Sequence, residues 1–151
     1  MWNLIYLALL LEEHGHTVHN LGACTPDGRL ARECRDHTPD LVVLSTVNGH
    51  GYQDGERIAR MFADLPQPHR PPLVIGGKLG IAGPDPERRQ ALLAAGFTAV
   101  FDGAEDDIER FLAFADSLRT RAASEAPAGP AAPVSPSALP DPVSPAAPVT
   151  A

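Results

Sequence analysis

The sequence predicts an α/β domain built on a doubly wound parallel sheet, and three observations lead there. Short apolar runs alternate with longer segments of helical periodicity through residues 1–119. Two of the runs, Leu41-Val42-Val43-Leu44-Ser45 and Pro72-Leu73-Val74-Ile75, are unbroken, as in strands covered on both faces. Glycines follow the runs where a strand must turn sharply into a helix, at Gly49, Gly51, Gly76 and Gly77.

The elements follow in order. Leu4, Leu7, Ala8 and Leu11 mark one face of a first helix, Leu4–Glu13, which Gly15 stops. Residues 17–21 read as a short strand, and residues 26–35 return as a helix. The run 41–45 is the next strand. Ile58, Met61 and Phe62 form the inner face of a helix over 53–63. Strand 72–75 ends at Gly76-Gly77, helix Pro86–Ala95 ends at Gly96, strand 98–101 follows, and a helix over 106–118 closes the domain. The order is one helix and then four strand–helix repeats. In the common five-stranded sheet, with order 2-1-3-4-5, the first strand is central. No strand precedes the first helix here, so the reading places that strand upstream of Met1.

Residues 120–151 are dominated by Ala, Pro, Ser and Val, and hold 8 of the 16 prolines. Proline removes backbone donors and no apolar periodicity drives burial, so this tail is expected to be disordered. The net charge of −7 and the lack of a basic stripe argue against nucleic acid as a partner. No run approaches the roughly 20 apolar residues that span a bilayer. Cys24 and Cys34 lack metal-site spacing and read as reduced thiols of a cytoplasmic protein.

The residues at the strand ends are more specific. Ser45-Thr46-Val47 leaves one strand, Gly76-Gly77-Lys78-Leu79-Gly80 leaves the next, and Phe101-Asp102-Gly103 leaves the last. With Gly15-His16-Thr17-Val18, this series over roughly residues 1–115 resembles the flavodoxin-like cobalamin-binding domains, most nearly the small subunits of methylaspartate (glutamate) mutases. The family signature is Asp-x-His-x-x-Gly, then Ser-x-Leu, then Gly-Gly. Asn3 falls at the first glycine with Trp2 before it, so the axial cobalt-ligating histidine is expected immediately upstream of Met1, and no residue of this chain is assigned to the metal. Val47 replaces the leucine.

The resemblance implies an adenosylcobalamin cofactor whose nucleotide tail enters a slot at the sheet rim. Trp2, Asn3, Ser45, Thr46, Val47, Gly76 and Gly77 would meet the cofactor, with Ser45 bonding the buried base. Residues 78–82 (Lys78, Leu79, Gly80, Ile81, Ala82), with Phe101, Asp102 and Gly103, would wall the slot. It also implies a large barrel subunit that binds an amino-acid substrate; no acid–base pair, nucleophile or substrate clamp is visible in this sequence, which fits a cofactor carrier. A corrinoid methyl carrier or cobalamin sensor, and an interaction module that no longer ligates cobalt, are the competing readings.

His14, His16 and His19 invite a metal reading, but the first two should lie at the end of the sheet away from the slot, with His19 pointing elsewhere. They are expected to be surface and capping residues. His50 lies in the loop after the Ser45 strand, where it either meets the partner subunit or the corrin or is a solvated loop histidine. Glu105-Asp106-Asp107 opens a helix, where negative charge complements the helix dipole, and is assigned no chemistry.

Overall fold

The computed structural model describes residues 3–66 and 70–125. Five helices, α1 (Leu4–Glu13), α2 (Asp27–His37), α3 (Gly51–Ala63), α4 (Pro86–Ala95) and α5 (Asp107–Glu125), surround three strands. These are β1 (Val42–Thr46), β2 (Leu73–Gly77) and β3 (Ala99–Phe101), paired parallel in the order β1-β2-β3. The predicted doubly wound α/β class holds.

Alternation along the strands splits the core into two layers. Val42, Leu44, Leu73, Ile75 and Val100 face Leu30, Ala59, Phe62 and Leu92 from α2, α3 and α4. Val43, Val74, Ala99 and Phe101 face Leu7, Leu11, Phe111 and Ala115 from α1 and α5. Each strand therefore feeds both layers, which is why its sequence reads as an unbroken apolar run.

The helix ends are locally encoded. Asn3 caps α1 by accepting the Tyr6 N–H at 2.8 Å. Asp85 caps α4 by accepting from the Glu87 and Arg88 amides, with Pro86 in the first helical position. Gly96, at φ 121°, ends the same helix.

Two expectations change. Residues 17–21 form no strand. In a 2-1-3-4-5 sheet this edge strand bonds only to the first strand, and no described residue fills that place. Val18 and Leu21 still pack against the two core layers. The last helix also continues past Leu118 to Glu125, so the boundary expected at 119 falls inside it. The expected tail beyond 125 lies outside the described residues. Among the described residues no helix is long and apolar enough to cross a membrane.

Candidate functional site

The register of the sheet brings the strand ends into one row. Ser45 pairs with Gly76, and Gly76 pairs with Phe101. Two residues earlier, the row Val43–Val74–Ala99 faces the α1/α5 layer. The period of two carries the Ser45–Gly76–Phe101 row to the same face. Its centre, Gly76, has no side chain and is buried between Ser45 and Phe101.

Beyond this row opens a cleft of about 740 Å³ at the carboxyl ends of the strands, where ligands of doubly wound sheets bind. It is lined by the expected residues Val47, Gly77, Lys78, Leu79, Gly80, Ile81, Phe101, Asp102 and Gly103. Gly83, Ala104, Glu105, Asp107 and Ile108 complete it and were not anticipated. Gly83 and Gly103 have positive φ, and a Cβ on either would meet no protein atom within 4 Å. Val47 and Ile81 are strongly exposed, at 69% and 77%, so the mouth carries an apolar rim.

The remaining expected residues lie outside the lining. Ser45 and Gly76 belong to the row just described and are not part of the lining. The structure turns Thr46 away: its hydroxyl donates to Asn48 Oδ1 at 3.1 Å, and its methyl reaches the start of α3. Ala82 is exposed outside the lining, and the Asn3 side chain turns back to cap its own helix. Trp2 lies outside the described residues.

The cleft walls are held by bonds invisible in the sequence pattern. The Lys78 amide donates to the Thr46 carbonyl at 2.8 Å, Gly49 N donates to Lys78 O at 3.1 Å, and Tyr52 N donates to Leu79 O at 3.2 Å. The Tyr52 hydroxyl, in a buried ring, accepts from Asp85 N at 3.0 Å and donates to Asp85 O at 3.4 Å. Burial pushes this phenol above its ordinary pKa. Asp102 accepts from Arg89 Nη1 at 3.0 Å, tying the β3 exit to α4.

Asp107, only 5% exposed, accepts from Gly103 N at 2.8 Å and Ala104 N at 3.0 Å, and from Arg110 at 3.2 Å. It moulds the last cleft loop, beyond the dipole role read from the sequence. The detectable signal was an aspartate immediately before the apolar-periodic run Ile108-Glu109-Arg110-Phe111-Leu112.

Among the described residues, no histidine lines the cleft. His14 Nδ1 and His16 Nε2 both meet the Asp116 carboxylate of α5, at 3.4 and 3.2 Å. Desolvation raises the Asp116 pKa, but the hydrogen bonds from His14 and His16, with Arg119 nearby, outweigh it and hold the carboxyl below its ordinary value. His19 leaves this pair and joins α2, and His50 precedes α3. Cys24 and Cys34 are unpaired, as expected; burial raises the Cys34 thiol pKa.

This rim of small residues fits a group that threads a narrow arm against backbone and rests a broad apolar body on the mouth. Comparison with known proteins agrees. The family model for the B12 binding domain matches residues 2–112. The glutamate mutase sigma subunit of Halobacterium salinarum is 33% identical over 115 residues, covering 73% of this chain and 70% of that protein. The chain belongs to the B12 binding domain family, and its cofactor is cobalamin.

Proposed function

We propose that this chain is the cobalamin-carrying subunit of an adenosylcobalamin-dependent carbon-skeleton mutase, acting beside a large barrel subunit that holds an amino-acid substrate. The observation that supports this most is the cleft at the carboxyl ends of the strands, walled by Gly77 to Ile81 and by Phe101 to Gly103. Ser45 donates its hydroxyl hydrogen to a nitrogen of the buried base. Gly77, in the cleft lining, with Gly76 next to it, would let the nucleotide arm lie against backbone. Val47 and Ile81, exposed at the mouth, would seat the corrin on apolar surface and exclude water there.

When bound, the cofactor supplies the radical chemistry. The chain binds and orients it, and the acid–base and substrate-holding groups come from the partner. The similarity to a glutamate mutase sigma subunit supports this division of labour.

The test is titration of the 151-residue chain with hydroxocobalamin, followed by calorimetry and visible absorption. Saturable one-to-one binding is expected, weakened by Gly77→Val and by Ser45→Ala, with a spectrum lacking histidine ligation because none of the described histidines lines the cleft. Mutase activity should then require a mutase catalytic subunit together with this chain. Binding indifferent to both substitutions would overturn the site, and failure to support any partner's turnover would overturn the mutase role.

A further inference from the structure

His19, Glu33 and His37 come together on the outer surface of α2, away from the cleft. Glu33 and His37 are four residues apart on the helix and so share a face. The segment 17–21 delivers His19 to the same spot. Glu33 Oε2 lies 3.3 Å from His37 Nε2 and 3.9 Å from His19 Nδ1. The three donor atoms all lie within 4.8 Å of one another. The two imidazoles meet edge to face, with ring centroids 4.3 Å apart.

We propose that these residues form a zinc site that clips segment 17–21 onto α2. Two imidazole nitrogens and one carboxylate oxygen are a donor set suited to zinc, which takes them at about 2.0–2.2 Å in a tetrahedron. That geometry asks for donor separations of roughly 3.4 Å. The Glu33–His37 separation already matches, the Glu33–His19 separation of 3.9 Å needs to close by about 0.5 Å, and the His19–His37 separation, within 4.8 Å, by at most about 1.4 Å, in side chains free to move. The other Glu33 oxygen, Oε1, lies 3.7 Å from Arg29 Nε, an outer partner that turns Oε2 toward the histidines.

The site also has a structural task. Segment 17–21 has no ladder bonds among the described residues, and its hold on the domain rests on Val18 and Leu21. A metal bridging His19 to α2 fixes the segment where backbone pairing does not. Zinc leaves a fourth position to water. The ion favours the folded chain because only there do the three donors converge. This site is independent of cobalamin binding.

The experiment uses the full, tag-free chain without cobalamin at pH 7.5, titrated with zinc chloride by calorimetry, with thermal melts in zinc and in EDTA. One ion per chain is expected, with a melting temperature raised by zinc and restored by EDTA. His19→Ala and His37→Ala should each lower affinity about tenfold or more and abolish the zinc-dependent shift. Both side chains are more than half exposed, at 66% and 53%, so metal-free melts should match the parent. His14→Ala and Cys24→Ser should bind as the parent does. Absence of saturable binding, or binding that survives both His19→Ala and His37→Ala, overturns the proposal.

Discussion

Replacing Gly51 by alanine tests how tightly the cleft wall is bound to the fold. Gly51 is the first residue of α3, where the helix leaves β1 and passes under the loop that walls the cleft. A Cβ there would fall on Thr46 Cγ2, 2.7 Å from Leu79 Cδ2 and 3.0 Å from Leu79 Cα. Carbon contacts prefer about 3.5–4.0 Å. The two side-chain tips can rotate, but the Leu79 Cα belongs to backbone and cannot move alone. Residues 46–52 are laced to 78–79 by three amide hydrogen bonds, so relief means shifting the start of α3 or the cleft wall.

Such overpacking costs about 1–3 kcal/mol, against a helix-propensity gain of at most about 1 kcal/mol. A net loss of about 1–2 kcal/mol is expected, lowering Tm by roughly 5 °C for a domain of this size. If the displaced wall must return before cofactor binds, a loss of that size also lowers hydroxocobalamin affinity by about tenfold. The assays are urea unfolding and cofactor titration. Gly28→Ala is the control: it lies within α2, with nothing within 4 Å of its added Cβ, and should gain about 0.5–1 kcal/mol. A Gly51→Ala chain as stable as the parent, with undiminished binding, would refute the reasoning.

Tyr52→Phe keeps the ring and removes both links to Asp85; a loss of about 1 kcal/mol is expected in urea unfolding. Cofactor affinity should fall with it, because Asp85 ends the loop that forms the cleft wall. Asp116→Asn should lower Tm near neutral pH by weakening the joint acceptor of His14 and His16. The folded Asp116 pKa is depressed, so its stabilisation is present above the ordinary carboxylate value of 3.8 and is lost as pH falls through the lower folded value. The Tm difference between parent and variant should therefore shrink in that acidic window, and a constant difference from pH 2 to 7 would contradict the assignment.

The sequence alone determined the α/β class, the helices and the three paired strands, because hydrophobic period and glycine stops are local signals. It also pointed to the rim glycines and Ser45, whose small size at strand ends is legible without coordinates. Contacts between distant residues were not legible there. Only the sheet register set Gly76 between Ser45 and Phe101, and only packing turned Thr46 inward and drew Asp107 into the loop. Segment 17–21 shows the limit most plainly: its residues favour a strand, but a strand exists only where a neighbour offers its backbone donors and acceptors. The same tertiary placement divided the His14-His16-His19 string, sending two members to α5 and the third to α2, since what a side chain meets depends on the whole path of the chain.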